Sequence, residues 1–326
     1  EASHLVSAVG LFGEPTVPDI PGREKFAGVS FHSSRWSHDY DLAGKRVAAI
    51  GVGASAIQYV PRIAPLVKQL YVAQRTPQYV RPREETGAND GLSWYRATPL
   101  YRRRERQRLW AQYENGYDLR IDAREREAQE RAYFDYLARV ISDPVLRDKL
   151  TPKYPLGCKR VLASNDFYPA MQRDNVELVT EAIEEITATG IRTKDGKHRE
   201  VDAIVYSTGF KPAEYLSALR VHGIGGREIH DVWDGAPQAY VGAAMHGFPN
   251  FFMLYGPHTN GSGSIIYMIE AECEFVTKCI EEQHKRGADM IQPSAEAQRA
   301  YNVMIDERLE RSEEHTSELQ SHSFIS

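Results

Sequence analysis

Cysteine is scarce. Cys158, Cys273 and Cys279 are the only three in 326 residues, and none stands at a metal-ligand spacing from another. That excludes a disulfide framework and points to a reducing, cytoplasmic setting. Long apolar runs are missing as well. None approaches the ~20 residues that cross a bilayer, so no membrane partner is expected. Neither sign of charge prevails: 40 Lys and Arg stand against 45 Asp and Glu, for a net charge of −5. No basic block is large enough to imply binding to nucleic acid or an anionic membrane. An initiator methionine is absent too. The sequence opens at Glu1 in mid-pattern, and any targeting signal is expected upstream of it. The other end, Arg311 to Ser326, resembles the translation of a sequencing adapter. It is polar with little to bury, so disorder or an isolated helix is expected there.

What remains is ordinary in composition. Hydrophobic residues make up 42% and charged residues 26%, as in soluble globular proteins. The length suffices for two domains. One stretch organises the chain. Lys45-Arg46-Val47-Ala48-Ala49-Ile50 is short and apolar and reads as a buried strand. Gly51-Val52-Gly53-Ala54-Ser55-Ala56 follows at once and fits G-x-G-x-x-G/A. Ile57 to Val67 reads as a helix kept short or kinked by Pro61 and Pro65. Leu70 to Ala73 reads as the next strand. This is a βαβ unit with a phosphate-binding turn, in which glycine lets backbone approach a pyrophosphate and the helix start offers free N–H groups. Gly51, Gly53, Ala54, Ser55, Ala56 and Gln58 are therefore candidate cofactor contacts. The second strand runs into Gln74-Arg75-Thr76. A base there suits a 2′-phosphate, so Arg75 and Thr76 predict NADPH rather than NADH.

The flanking segments read more plainly. Leu5 to Gly10 is a strand ending in a glycine turn, and Pro15, Pro18 and Pro21 make an extended connector. Phe26 to Trp36 reads as a loop with a strand-like end. Taken alone, His32 in it is a hydrogen-bonded turn histidine. Pro77 to Asp90 is a loop. Residues 95–150 are helical, with Trp110, Tyr113 and Tyr117, then Tyr133, Leu137 and Val140, at helical spacing. The basic run Arg102 to Arg108 is a solvated face, because nearby acids nearly balance it. Val176–Val179, Ile183–Thr193 and Val201–Tyr206 read as strands around a tight turn at Lys194-Asp195-Gly196. Phe248 to Tyr255 reads as an apolar strand. A glycine-rich loop and a helix from Ile265 follow, with Ile265, Met268, Ile269, Glu272, Phe275, Val276 and Cys279 on one side and a stop at Gly287.

Four stretches, in order, resemble one family: a fingerprint ending at Trp36, the Gly51 turn, the Lys159-Arg160 segment and the Tyr255-Gly256-Pro257 loop, with a hinge at Ser207 beside them. Phe26, Gly28, His32 and Trp36 match F-x-G-x-x-x-H-x-x-x-W, just before the Gly51 turn. Lys159-Arg160 is followed by Phe167-Tyr168 and Arg173-Asp174-Asn175-Val176. Ser207-Thr208-Gly209 resembles an Ala-Thr-Gly hinge, with Ser in place of Ala. Leu254-Tyr255-Gly256-Pro257-His258-Thr259-Asn260 resembles a flavin-contacting loop. Together they resemble the Baeyer–Villiger-type flavin-containing monooxygenases, which use FAD and NADPH. One departure is Ser37 after the Trp, where the family often has Pro or Asp. Trp36 itself favours this branch over the N- and S-oxidising flavin monooxygenases.

The resemblance implies an α/β fold. A Rossmann-like NADPH-binding domain would occupy 38–94 and 151–205, interrupted by a helical insertion over 95–150. Residues 1–37 and 206–310 would belong to the tail, linker and C-terminal part of an incomplete FAD-binding domain, with 311–326 the adapter-like tail. It also implies the reaction: NADPH reduces FAD, O₂ adds to give a C4a-peroxyflavin, and a ketone becomes an ester or lactone. Arg160 would be the active-site arginine, steadying that anion with Lys159 assisting, while His32 couples domain geometry to turnover. Thr208, Gly209, Tyr255, Gly256, Thr259 and Asn260 would contact cofactor. From spacing alone, Lys159 and Arg160 read as a pair of surface bases, and only the resemblance assigns them to the active site. No second glycine turn for FAD precedes Phe26, so the chain is expected to be an N-terminally truncated fragment, inactive alone. Two other readings stay open: an N- or S-oxidising monooxygenase, and a non-catalytic NADPH-binding module. Oligomeric state is not readable here.

Overall fold

The computed structural model describes residues 2–83, 93–121, 123–211, 215–217, 219–259 and 264–310. In chain order the first strands are β1 (Leu5–Ser7), β2 (Val29–His32), β3 (Arg46–Ile50), β4 (Gln69–Ala73), β5 (Val80–Arg81) and β6 (Leu162–Ala163). They continue as β7 (Val176–Val179), β8 (Ile183–Thr187), β9 (Gly190–Thr193), β10 (His198–Glu200), β11 (Ala203–Tyr206) and β12 (Phe251–Met253). The helices are α1 (Ala56–Ile63), α2 (Ser93–Arg96), α3 (Pro99–Ile121), α4 (Ala123–Val140) and α5 (Pro144–Leu150). After them come α6 (Phe167–Met171), α7 (Ile229–Trp233), α8 (Ile265–Arg286) and α9 (Ala295–Glu310). Contacts divide the chain into two compact units, 15–86 with 123–209, and 1–14 with 87–122 and 210–326.

The first unit holds a five-stranded, all-parallel sheet in the order β2-β11-β3-β4-β7. Strand β3 lies at its centre, and Val47, Ala48 and Ala49 are fully buried, as a strand covered on both faces requires. Side chains alternate along it. Ala48 and Ile50 pack with Ile186, Ile191 and Val201 of the small antiparallel sheet β10-β9-β8 and its flank. Helix α1 buries Ala56, Ile57, Val60 and Ile63. Pro61 inside it cannot donate to the Ile57 carbonyl, and the Ser164 hydroxyl lies 3.5 Å from that oxygen instead. The chain returns past α1 through α6, while Asn175 Nδ2 donates to the Ala64 and Val67 carbonyls at 2.8 and 2.9 Å.

The second unit contains the parallel pair β1-β12 and the helices α7, α8 and α9. Its core gathers Tyr215, Ile229, Trp233, Met245, Phe248, Phe251 and Met253. Helix α8 begins with Ser264, whose hydroxyl accepts from Tyr267 N, and ends on Gly287 in the left-handed region. Glu272 and Val276 are buried on its apolar side and Phe275 and Cys279 pack beside them, as the spacing predicts.

Three placements differ from the sequence expectation. Val80–Arg81, inside the stretch read as a loop, is the short strand β5 because it pairs with the distant β6. The segment read as a loop around His32 is an edge strand, β2, of the parallel sheet. The helices expected as one insertion over 95–150 separate: α2 and α3 group with the second unit, α4 and α5 with the first. Both α3 and α4 are rich in charge, and tertiary contacts decide their allegiance. Arg106 pairs with Glu270 and lies 5.4 Å over the Tyr267 ring, which ties α3 to α8. Tyr133 and Leu137 bury α4 against Tyr79 and Tyr168 of the first unit. The adapter-like tail, 311–326, lies outside the described residues.

Candidate functional site

The parallel sheet ends in one row. His32, Tyr206, Ile50, Ala73 and Val179 are register partners at the carboxyl ends of β2, β11, β3, β4 and β7. From β3 the chain moves to β4 on one side, while β11 flanks β3 on the other. That reversal is a topological switch point, where open α/β sheets bind ligands beyond the strand ends.

The glycine turn sits there. Gly51 has φ +100, and a Cβ on it would stand 2.4 Å from the Ser207 carbonyl oxygen. Gly53 is different: a Cβ there would meet no atom within 4 Å. The first glycine answers a constraint of the backbone, and the second leaves an open space in front of the turn. Ser55 precedes α1 without a side-chain capping bond, so the leading N–H groups of the helix keep no cap from it. Ala54 and Ser55 are exposed, Ala56 is buried, and Gln58 donates from Nε2 to the Ala54 carbonyl at 2.8 Å. Of the expected turn contacts, Gly53, Ala54 and Ser55 thus stand at the open edge. Ala56 instead packs α1 to the sheet side, and the Gln58 amide braces the turn.

Arg75 is exposed and Thr76 half-buried just past β4. Lys159 joins them. Its ammonium lies 4.9 Å over the Tyr154 ring, and its pKa is lowered by burial and then by the like charge of Arg75. Arg160 is exposed beside Lys159, at the entrance to β6, which pairs in parallel with β5. Cys158 is buried, in keeping with a structural role.

His32 is buried, 5% exposed. Its Nδ1 accepts from Ser34 N at 3.2 Å and shares a 2.8 Å bond with the Ser34 hydroxyl. Burial holds the imidazole below its ordinary pKa, opposed by a hydrogen bond with the Gly209 backbone and reinforced by Arg35. The ring is therefore neutral at pH 7. Thr208 donates its hydroxyl to the Thr16 carbonyl, and Thr16 N donates to Gly209 O at 2.9 Å. The hinge residues are tied to the proline-rich connector.

The candidate flavin loop belongs to the second unit. Tyr255 has φ +57, and its N–H donates to Glu272 Oε2 at 2.7 Å. Gly256 is required by contact: a Cβ on it would lie 2.0 Å from Gly242 O. Thr259 is buried and donates to the Gly256 carbonyl at 2.6 Å, so its hydroxyl shapes the loop from within. Asn260 lies outside the described residues. Sequence reasoning missed Glu272 as a site-building residue. The signal was an acid at a core position of an apolar helical stripe. It also missed Tyr59, whose ring meets Trp36 edge-on at 5.3 Å and whose hydroxyl accepts from Ser207 Oγ at 2.9 Å. Among the described residues no cluster of His, Cys, Asp or Glu could hold a metal ion, and no helix is long and apolar enough to cross a membrane.

The flavin-binding monooxygenase-like family profile matches residues 4–103. A Baeyer-Villiger monooxygenase of Streptomyces coelicolor is 40% identical over 320 residues, 95% of this chain and 60% of the relative. Another from Pseudomonas aeruginosa is 39% identical over 316 residues, again 95% and 60%. Cyclohexanone monooxygenase in its epsilon-caprolactone-bound, loose conformation is 30% identical with TM-score 0.80, covering 96% of this chain and 69% of that one. OTEMO in complex with FAD and NADP is 29% identical with TM-score 0.81, covering 95% and 66%. The chain thus belongs to the flavin-binding monooxygenases, in their Baeyer–Villiger-type branch. It spans about 60% of the length of the curated relatives it matches most strongly here.

Proposed function

We propose that this chain is the NADPH-binding part, with a portion of the FAD-binding part, of a monooxygenase that inserts oxygen next to a ketone carbonyl to give an ester or lactone. The observation that carries the reading is the pairing of an open glycine turn at the switch point with Arg75 and Lys159 beside the neighbouring strand end. The residues fit a 2′-phosphorylated dinucleotide. The turn at Gly53 leaves room where a side chain would block a pyrophosphate, and Ser55 at the start of α1 leaves its hydroxyl without a capping bond. Arg75, Thr76 and Lys159 take the 2′-phosphate.

FAD, when bound, supplies the oxygen-activating redox chemistry that protein side chains lack. The roles left to this chain are binding, orientation and charge. Tyr255, Gly256 and the residues following them form one wall of the flavin site, and Thr259 holds that wall from inside. Arg160 contributes a fixed positive charge, because a guanidinium stays protonated at any working pH. His32, kept neutral by burial, orients the hinge at Gly209 and takes no proton at pH 7. Thr208 holds the hinge to Thr16. The substrate is a small ketone with O₂ as co-substrate.

Two measurements test this. Calorimetric titration of the chain with NADP⁺ and NAD⁺ should show binding of the first at least tenfold tighter. In a protein carrying this chain and loaded with FAD, NADPH oxidation should be coupled to an ester or lactone found by mass spectrometry. N-oxide or sulfoxide products with no ester would move the assignment to heteroatom oxidation. NADP⁺ binding without flavin or oxygen uptake would leave a plain nucleotide-binding module.

A further inference from the structure

Ser207 stands where a sequence resemblance expects Ala, and its hydroxyl has a definite partner. Its N–H donates to the Ile50 carbonyl at 2.7 Å, and its own carbonyl abuts Gly51. Its Oγ donates to the Tyr59 hydroxyl at 2.9 Å. Tyr59 lies one turn into α1, the helix that follows the glycine turn directly. The path Ile50–Gly51–turn–α1–Tyr59–Ser207–Ile50 is therefore a closed ring. One side is a backbone hydrogen bond, and the side that sets the tilt of α1 is the hydroxyl pair.

Helix α1 is held on the sheet by Ala56, Ile57, Val60 and Ile63, and the tie adds a directional contact to that packing. The helix has eight residues, no capping side chain and a proline within it. Its own hydrogen bonds cannot hold a helix of that length in place. The tie is supported from behind. Trp36 packs edge-on against Tyr59 at 5.3 Å and against Phe31 of β2 at 5.1 Å. Burial pushes the Tyr59 phenol well above its ordinary pKa, so the group stays a neutral hydroxyl and keeps the bond across the working pH range.

We propose that Tyr59 is a positioning residue, which through Ser207 and Trp36 fixes the start of α1 at the angle needed to receive a dinucleotide pyrophosphate. The inference rests on the NADPH-binding reading above. It gives Trp36 of the F-x-G-x-x-x-H-x-x-x-W motif a mechanical role: the indole keeps the Tyr59 ring from swinging away from Ser207. It also separates two halves of the nucleotide site. The clasp governs the pyrophosphate end, whereas Arg75, just past β4, does not depend on it.

The full 326-residue chain would be titrated by calorimetry with NADP⁺ and with adenosine 2′-monophosphate, which carries the 2′-phosphate but no pyrophosphate. Tyr59→Phe and Ser207→Ala should each weaken NADP⁺ about fivefold, the worth of one hydrogen bond. The double variant should be no weaker than either single one, because both changes remove the same bond. Affinity for adenosine 2′-monophosphate should stay unchanged in all three. Equal weakening of both ligands would mean general loosening and would overturn the proposal. So would unchanged NADP⁺ affinity, or additive effects in the double variant. A wild-type chain that bound adenosine 2′-monophosphate but not NADP⁺ would also overturn it. Failure of the wild type to bind either ligand would sink the NADPH reading itself.

Discussion

Gly51 lies so close to Ser207 that a methyl group on residue 51 would stand 2.4 Å from the Ser207 carbonyl oxygen, whereas the same group on Gly53 would meet nothing within 4 Å. The two glycines of one motif are thus needed for different reasons, and substitution separates them. Gly51→Ala combines a backbone clash with a φ of +100 and should cost roughly 2–4 kcal/mol in urea unfolding. Gly53→Ala should change stability by no more than about 0.5 kcal/mol. Its NADP⁺ affinity should nevertheless fall by roughly tenfold, since the methyl would occupy the space left for a pyrophosphate. Equal unfolding midpoints for the two variants would refute the distinction.

The 2′-phosphate end is set by charge. Arg75→Ala and Lys159→Ala should each reduce NADP⁺ affinity by about 10- to 100-fold, the range of a charge-assisted hydrogen bond, and leave NAD⁺ affinity nearly unchanged. A pH effect follows from the coupling. Lys159 is held below its ordinary pKa by burial and by Arg75. Its charge is complete at low pH and is lost as pH rises through that depressed value, so NADP⁺ affinity should fall on the alkaline side earlier than for an ordinary lysine. In Arg75→Ala the fall should move to higher pH, because one cause of the depression is gone. NADP⁺ titrations across the alkaline range would show whether it does.

Much of this was legible in sequence, for local reasons. A strand, a glycine turn and a helix are consecutive, and so β3, the turn and α1 fall within a few residues of where pattern reading puts them. Helix α8 is equally clear, because a helical stripe along its length and a glycine stop need no distant partner. What escaped was decided by distant contacts. Strand β2 is short and irregular in pattern, and it becomes a strand only by pairing with β11, over 170 residues later. The separate allegiances of α3 and α4 depend on Arg106 meeting Glu270 and Tyr133 meeting Tyr168. The Tyr59–Ser207 bond joins residues 148 apart.

The start of the central strands is held by an ion pair whose pH dependence has a definite sign. Asp202 accepts from Arg46 N at 2.8 Å, from Nε at 3.3 Å and from Nη2 at 2.9 Å. These bonds lower its pKa to about 2. A carboxylate depressed in the folded state contributes stability that is present above its unfolded pKa and lost as pH falls through the folded one. Wild-type stability should decline between about pH 4 and pH 2 through this group. In Asp202→Asn that part of the decline should be absent, as thermal unfolding at a series of acid pH values would reveal. Partial exposure of the pair keeps the effect modest.

Glu272 has the opposite sign. It is 5% exposed on α8, accepts from Tyr255 N–H through Oε2, and has no hydrogen-bond partner at Oε1 among the described residues. Burial raises its pKa, and the Tyr255 bond only partly opposes that. The folded state therefore binds this proton more tightly than the unfolded state does. Its contribution is greatest below the unfolded pKa and is eroded as pH rises, until the raised folded value is passed. Glu272→Gln keeps an oxygen for Tyr255 N–H and needs no proton. That variant should match the wild type at low pH and be more stable than it at neutral pH. Glu272→Ala leaves the Tyr255 N–H buried without its acceptor and should cost about 1–3 kcal/mol at low pH, and less at neutral pH where the wild type itself is eroded. If Gln and Ala destabilised alike, the hydrogen bond to the loop would not be what holds Tyr255 in its left-handed conformation, and the carboxyl would matter only for packing.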